Sequence, residues 1–370
     1  MGSMTSRVVL AGFAIFAMLF GSGNIVFPFI FGKDFASNWG IANLGWILAA
    51  VVIPMLGYFG SMLFEANTEK YLKPVGKHIT ALFLLLVMIM VGPFGVSARC
   101  VNVSFGGFHI AFPDLPAFVF NTIFCLLTVV LAWNPGRLVQ LMGAIFTPLK
   151  FGGIAIVVLA AMYFCDSSIS LSTTSAKDAF TGGFEMGYQT MDLIAAFIMT
   201  MPIYNYIKNA LPKEHQENKK LLIKFSGGAC AVGGALLAIV YTGLAFVGAE
   251  YSAILQGTPD ESLFAKIAEV AMGEYAAVFV AIVIAVGCLA TNIAVTTIFT
   301  DYVHKTILKE RFNRSVILVL TGIAILGMSA LGFAKICSLM ALVLSKLYPA
   351  LIIFVIARIV YYYAKRPNDA

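Results

Sequence analysis

Apolar runs of about 20 residues recur from one end of this 370-residue chain to the other. A helix needs roughly 20 mostly apolar residues to cross about 30 Å of hydrocarbon. Hydrophobic residues make up 60% of the chain and charged residues only 11%, unlike an ordinary soluble domain. The sequence therefore predicts an all-α integral membrane protein with ten transmembrane helices. The predicted spans lie at 8–31, 41–64, 79–98, 117–133, 141–164, 187–207, 222–248, 275–303, 315–333 and 336–356.

The distribution of Lys and Arg predicts the orientation of these spans. Of the 24 Lys and Arg, 17 fall in one set of alternate loops and five, including Arg99, in the other set. The remaining two, Lys150 and Lys346, fall inside predicted spans. Cytoplasmic loops carry the excess of basic residues, so both termini are predicted to be cytoplasmic. Topology thus accounts for the basic residues, and we expect the lipid bilayer, not nucleic acid, as the partner of this chain.

Five spans, a polar stretch and five more spans are the pattern of an inverted repeat, because an odd number of crossings reverses the second half. We expect a short N-terminal tail, whose first three residues look like a vector-derived extension before a native Met4, and a cytoplasmic C-terminal tail. The predicted units are tail 1–6, first repeat 7–165, extracytoplasmic connector 166–186, second repeat 187–357 and tail 358–370.

The first span of each half carries a polar interruption that contains glycine. Gly21-Ser22-Gly23-Asn24 interrupts the first span, and the stretch from Gly187 to Asp192 begins the sixth. Unwound backbone at membrane depth survives only where it is buried in protein or lines a polar cavity. Free NH groups at the start of a half-helix attract a carboxylate, and free CO groups attract a cation or an ammonium. The two interruptions therefore predict a binding site for a zwitterion.

Two polar features near these interruptions leave alternatives open. Asp192 lies in an interrupted span, where it either faces a substrate ammonium or coupling cation, or caps a helix end by bonding to neighbouring backbone. The eighth span carries Thr291, Asn292, Thr296 and Thr297, whose oxygens suit Na⁺. Such hydroxyl groups also commonly bond back to their own helix.

At these positions the chain resembles the branched-chain amino acid:cation symporter (LIVCS) family of the amino acid–polyamine–organocation superfamily. The stretch from Phe20 to Pro28, FGSGNIVFP, is similar to the first-span signature of that family, and GYQTMD at 187–192 is similar to its sixth-span signature. Thr147-Pro148, Leu289-Ala290-Thr291 and Tyr348-Pro349 stand where similar residues are expected.

The resemblance implies a leucine-transporter-like (LeuT-like) fold, a 5+5 inverted repeat with discontinuous helices 1 and 6. It also implies Na⁺-coupled uptake of leucine, isoleucine or valine by alternating access across a bacterial cytoplasmic (inner) membrane. The preferred apolar amino acid stays open, because methionine or phenylalanine could serve as well as leucine. Many members have two further helices, so we expect the ten-helix core here, as a monomer or a weak homo-oligomer, with no cofactor other than the coupling ion.

Carried over position by position, the resemblance assigns individual residues to the site. The substrate carboxylate would bind the NH groups of Ser22 and Gly23 after Gly21, with Asn24 available to a cation or the substrate. Tyr188, Gln189 and Thr190 would line the sixth-span interruption together with Asp192. A cation site would combine the carbonyl groups of Ala17 and Phe20 with Thr291 and Asn292.

Lys150 departs from an apolar fifth span, two residues after Pro148. Its ammonium either replaces the sodium ion, which would make a proton the coupling species, or forms an ion pair or extends towards the cytoplasmic interface. Lys346 admits the same two interpretations. Na⁺ coupling is the first expectation and H⁺ the alternative.

Other classes of protein fit the sequence less well. A channel would need a continuous polar stripe along several helices, whereas polarity is concentrated in two interruptions. The histidines are scattered, no HExxH or GxSxG motif occurs, and the six cysteines lie far apart without a CxxC pair. We therefore expect neither an enzyme nor a zinc site.

Overall fold

The computed structural model describes residues 4–133, 147–164 and 169–365, and the side chains of residues 147–150 lie outside this part. All regular secondary structure in the described ranges is helical, so the all-α prediction is confirmed.

The first half of the chain forms helices that cover its predicted spans wherever the structure describes them. Helix α3 continues through a π-helical turn, Leu48–Val52, directly into α4. The bounds are α1 Met4–Leu19, α2 Ser22–Phe35, α3 Trp39–Ile47, α4 Ile53–Leu63, α5 Thr68–Leu72, α6 Lys77–Val91, α7 Val96–Ala111, α8 Ala117–Ala132 and α9 Thr147–Tyr163.

The second half of the chain likewise forms helices over its predicted spans, and a short helix, α13, precedes the eighth predicted span of the chain. A 3₁₀ turn, Tyr188–Thr190, stands between α10 and α11, and a π-helical turn, Val303–Ile307, extends α14. The bounds are α10 Ala176–Gly187, α11 Asp192–Ala210, α12 Lys219–Glu250, α13 Leu263–Met272, α14 Glu274–Tyr302, α15 Arg314–Ser329 and α16 Phe333–Ala364.

Five helical stretches of the described residues are long and apolar enough to cross a membrane. They are Ser22–Leu63, Lys77–Ala111, Lys219–Glu250, Glu274–Ile307 and Phe333–Ala364. The first has 42 residues, about twice the length that one crossing needs, and it turns at Ala36 so that α2 packs against α3. Shorter apolar helices, such as α1 and α8, occupy other predicted spans. The number of ten crossings stays a prediction.

Glycines bring the backbones of α2 and α12 into contact. A Cβ atom on Gly32 would lie 2.2 Å from the carbonyl oxygen of Ala245, and one on Gly248 would lie 2.6 Å from that of Phe29. Small residues are the usual means by which helices pack closely in lipid, where no hydrophobic force pulls them together. This packing holds α12 beside the first interruption.

Several helices extend beyond the bounds that hydropathy indicates. Helix α10 occupies much of the segment interpreted as a connector, because its glycines and polar residues weaken the apolar signal although one face packs on α3. Helix α16 continues past residue 357, and Arg358, assigned from sequence to the tail, is buried over the ring of Phe64 at 3.8 Å. Lys346 is exposed on α16, while the side chain of Lys150 lies outside the described part of the chain.

Candidate functional site

The first interruption leaves the backbone at the start of α2 without helical partners. The NH of Gly21 donates to the carbonyl of Leu19 at 2.7 Å and to Asn24 Oδ1 at 3.1 Å. In an unbroken helix that NH would pair with the carbonyl of Ala17, so the interruption frees this oxygen. The first NH groups of a helix have no acceptor within it, and here they belong to Ser22 and Gly23. The start of α2 can therefore receive an anion.

The second interruption is a 3₁₀ turn that ends at Met191, whose φ of 58° is in the left-handed region. A residue with a side chain adopts this conformation at a cost of roughly 1–2 kcal/mol, so the surrounding packing holds it. The Thr190 hydroxyl donates to the carbonyl of Gly187 at 3.0 Å and accepts the NH of Asp192 at 3.3 Å. These bonds fix the direction in which α11 resumes.

A buried hydrogen-bond cluster joins the two interruptions. Asn24 Nδ2 donates to Asp192 Oδ2 at 2.8 Å, and the Tyr241 hydroxyl of α12 lies 3.5 Å from the same oxygen. Asn24 also contacts the Tyr241 hydroxyl directly, and all three side chains are buried. Because the carboxylate bonds to side chains of two other helices, its described contacts differ from those of a cap on neighbouring backbone. In the described ranges no cationic side chain forms an ion pair with Asp192.

A cavity of about 50 Å³ lies between the two interruptions. It has room for a few water molecules in this conformation, since one water needs roughly 10–15 Å³ of such space. Its walls include seven of the residues predicted from sequence: Gly21, Ser22, Gly23, Asn24, Thr190, Asp192 and Thr291.

Tyr188 and Gln189, two of the predicted substrate residues, lie elsewhere. They line a separate cavity of about 310 Å³ between α10 and α16. The Tyr188 ring packs against Tyr348 at 4.5 Å, and Gln189 Nε2 donates to the carbonyl of Cys337 at 3.2 Å. The structure therefore does not bring these two side chains to the cavity between the interruptions, because the 3₁₀ turn directs them towards α16.

The predicted cation site is only partly assembled. The Thr291 hydroxyl lines the cavity while it donates to the carbonyl of Gly287 at 3.1 Å. Asn292, one position further along α14, points instead at α8, where its Nδ2 donates to Thr128 Oγ1 at 3.2 Å. Successive helical residues point about 100° apart, and here Thr291 lines the cavity while Asn292 is directed towards α8. The sequence prediction set Asn292 beside the carbonyl groups of Ala17 and Phe20, whereas the structure directs its side chain towards α8, outside the cavity lining. The cation site itself stays a prediction.

Sequence reasoning missed a third interruption, between α6 and α7. The chain leaves the helix at Gly92 and resumes it after Gly95, where a Cβ atom would lie 2.0 Å from the carbonyl oxygen of Met90. The signal that could have found it is Gly92-Pro93-Phe94-Gly95 within an apolar run, since proline removes a donor and glycine permits the turn. The predicted third span, 79–98, ended too early, because the charged Arg99 follows residue 98 although α7 continues to Ala111.

Arg99 and Tyr241 are the site residues that the sequence did not indicate. The assignment of Arg99 to an outer loop is wrong: it lies in α7, it is 1% exposed, and it lines the cavity. Tyr241 was one of many aromatic residues in an apolar span, and only its contacts with Asn24 and Asp192 distinguish it.

An all-helical bundle whose interrupted helices meet at a cavity is the architecture of many secondary transport proteins. A solved structure described as "Inward facing conformation of Mhp1" matches 96% of this chain and 76% of its own, with a TM-score of 0.69 at 12% identity. This likeness confirms the LeuT-like fold.

The sequence comparisons define the family. The sequence model of a family described as "Branched-chain amino acid transport protein" matches residues 4–369, and the chain belongs to this family. The "Branched-chain amino acid permease BrnQ" of Bacillus subtilis is 28% identical over 310 residues, 81% of this chain and 69% of that protein. The "Branched-chain amino acid transport system 3 carrier protein" of Pseudomonas aeruginosa is 27% identical over 361 residues, 96% of this chain and 81% of that protein. The predicted family and the prediction of a transporter, not an enzyme, are confirmed.

Proposed function

We propose that this chain imports leucine, isoleucine and valine, with methionine as a further substrate, together with a cation, Na⁺ in preference to H⁺, by alternating access. The observation that carries the proposal is the convergence of two interrupted helices on one cavity that offers both a receptor for an anion and a buried carboxylate.

The two ends of a zwitterion find complementary groups in the walls of this cavity. The NH groups of Ser22 and Gly23, at the positive end of the α2 dipole, suit a carboxylate. Among the described residues, the carboxylate of Asp192 has hydrogen-bond donors but no ion-pair partner, so an ammonium or a metal ion would form the missing pair. An amino acid presents both groups on one carbon atom.

The rest of the cavity wall favours an apolar side chain. Met18 and Leu19 from α1, Met199 from α11 and Val295 from α14 face it. Each buried CH₂ group contributes about 0.8 kcal/mol, so a branched aliphatic side chain gains more here than alanine or glycine. A polar side chain would lose its hydrogen bonds to water without replacement.

Oxygen atoms near the first interruption support Na⁺ as the coupling ion. The carbonyl group of Ala17 loses its helical partner, and the hydroxyl of Thr291 keeps lone pairs free while it donates to Gly287. Carbonyl and hydroxyl oxygens are the ligands that hard cations prefer. A proton is the second candidate: it would neutralise Asp192 directly or be carried by Lys150, whose helix packs against α14.

The cavity extends towards the side that the distribution of basic residues assigns to the cytoplasm. Met18 belongs to the half-helix that begins at the N-terminus, Met199 follows the second interruption in that direction, and Val295 lies one turn beyond Thr291 on α14. On the opposite side, aromatic rings fill the space, with Trp46 5.1 Å from Phe31. This arrangement favours an inward-facing conformation, one of the two that alternating access requires.

Uptake of labelled leucine into proteoliposomes tests the proposal. We expect an inward Na⁺ gradient to accelerate uptake, and leucine inside the vesicles to accelerate it further by exchange, as in a carrier and not in a channel. Uptake that is indifferent to external Na⁺ but follows a pH gradient would reject sodium and favour the proton.

The role of Lys150 can be tested in the same vesicles. If a proton drives uptake through this residue, Lys150→Ala abolishes uptake driven by a pH gradient. Lys346→Ala is the matched control, since it removes an exposed lysine from α16. Under sodium coupling, both variants retain uptake driven by a Na⁺ gradient.

A further inference from the structure

Arg99 is a positive charge in the wall of the cavity that neither the family resemblance nor the proposed function uses. It lies in the first turn of α7, directly after the third interruption, together with Val96, which also lines the cavity. It is 1% exposed. A charged group in the middle of a membrane protein is costly and usually functional, so the contacts of this arginine decide what it can do.

The guanidinium is held in place but forms no ion pair with a described carboxylate, and Asp192, in the same cavity wall, acts on it only electrostatically. Nη1 donates to the carbonyl oxygen of Gln189 at 2.8 Å, the carbon Cζ lies 5.6 Å from the centre of the Phe27 ring, and the Cys337 side chain is a further contact. Among the described residues no acceptor reaches Nε, and no carboxylate lies within 4.0 Å of any nitrogen of the group. Within the described part of the chain, Arg99 therefore keeps one donor, Nε, without an acceptor, and no ion-pair partner.

The first turn of α7 is in direct contact with the first turn of α2. The neighbour of Arg99, Cys100, lies with its sulfur atom 3.3 Å from the hydroxyl oxygen of Ser22. A Cβ atom on Gly23 would lie 3.7 Å from the carbonyl oxygen of Gln189, the same atom that binds Arg99. The carbonyl group that binds the guanidinium therefore lies close to Gly23, which lines the cavity.

Two positive features therefore meet at one end of the cavity, the start of α2 and the guanidinium. Asp192, the acid in the same wall, bonds to Asn24 and Tyr241 and not to Arg99. A bound carboxylate would accept hydrogen bonds from the α2 amides and from the free side of the guanidinium. Charge-assisted hydrogen bonds to arginine are the strong ones in proteins, and its fork fits a carboxylate.

We infer that Arg99 binds the carboxylate group of the transported amino acid, together with the NH groups of Ser22 and Gly23. The inference rests on the proposed function, because it assigns one end of the proposed zwitterionic substrate to a residue of the third interruption. Arg99 is then a specificity residue, which selects α-amino acids over amines of the same shape.

Two ligands that differ only at this group test the assignment. Leucine carries the carboxylate, and leucinol replaces it with a hydroxymethyl group while keeping the ammonium and the isobutyl side chain. Affinities are measured on the full chain in detergent, by ligand-dependent thermal stabilisation up to millimolar concentrations, for the wild type and for Arg99→Gln. Uptake of leucine by the wild type in proteoliposomes is measured alongside.

We expect the wild type to bind leucine more tightly than leucinol, and Arg99→Gln to lose about 10- to 100-fold in affinity for leucine, the value of a charge-assisted hydrogen bond. Its affinity for leucinol should change by less than about threefold, which lies within the effect of small packing changes. A merely structural role, in which Arg99 only holds the Gln189 carbonyl, would weaken both ligands equally and would overturn the inference.

Further variants keep the test decisive if the glutamine variant does not fold. Arg99→Lys keeps the charge but loses the fork, so it should lower the ratio of leucine to leucinol affinity, and an unchanged ratio would overturn the inference. Arg358→Gln is the matched control, because Arg358 is also a buried arginine but stacks on Phe64, away from the cavity. Its ratio should equal that of the wild type.

The proposed function and the inference fail in different ways. A wild type that neither binds nor transports leucine would reject the proposed function and the inference with it. A wild type that transports leucine but binds leucinol equally well would reject the inference alone.

Discussion

Replacement of Asp192 by asparagine is the most direct perturbation of the candidate site. The substitution keeps the shape of the side chain and removes its charge. Asparagine can still present an oxygen to Asn24 Nδ2, which now lies 2.8 Å from Asp192 Oδ2, so the cluster that joins the two interruptions should persist. The variant therefore separates the charge of the site from its fold.

The expected loss of affinity follows from the electrostatics of a buried group. Asp192 is 2% exposed, and a substrate ammonium or Na⁺ about 4 Å from its carboxylate would gain about 4 kcal/mol at an effective dielectric constant of about 20. That energy corresponds to roughly a thousandfold in affinity, since about 1.4 kcal/mol is a factor of ten. We expect Asp192→Asn to bind leucine with Na⁺ more weakly by this order.

Thermal unfolding with and without ligand measures this loss. A ligand present at about 1,000 times its dissociation constant stabilises the wild type by about 4.1 kcal/mol, and a thousandfold weaker ligand at the same concentration stabilises by only about 0.4 kcal/mol. The ligand-induced shift of the wild type should therefore almost disappear in the variant. Asp114→Asn, an exposed acid between α7 and α8, is the matched control and should keep the full shift. If Asp192→Asn retained an affinity within about threefold of the wild type, the carboxylate would not face a bound cation and the electrostatic reasoning would be refuted.

Two further predictions concern the scaffold around the site. Gly32→Ala should lower the free energy of unfolding by about 1–3 kcal/mol, because its Cβ atom would lie 2.2 Å from the backbone oxygen of Ala245. Gly40→Ala is the control, since a Cβ atom there would meet nothing within 4 Å. Equal unfolding temperatures for the two variants would contradict the predicted clash. Lys33 Nζ lies 2.9 Å from Asp260 Oδ1 and ties the end of α2 to the segment before α13. In a double-mutant cycle with Lys33→Ala and Asp260→Ala we expect a coupling of about 0.5–1 kcal/mol, since the pair is partly exposed, and strictly additive effects would argue against the ion pair.

The sequence by itself determined the class of fold and the location of two interruptions. Apolar runs of membrane-spanning length leave helices as the solution in lipid, because every backbone polar group must be satisfied within its own segment. Glycine and polar residues inside such runs mark where a helix can open, so Gly21 to Asn24 and the stretch before Asp192 were found without coordinates. The third interruption escaped notice, although Gly92 and Gly95 carry the same local signal.

Tertiary structure alone decided which side chains share the cavity. Hydropathy does not fix the rotation of a helix that is apolar on all sides, and neighbouring residues differ in direction by about 100°. Thr291 therefore lines the cavity while Asn292 bonds to α8, and Gln189 turns towards α16. Arg99 and Tyr241 join the site only because α7 and α12 pack against the two interruptions, and these contacts connect residues far apart in the chain.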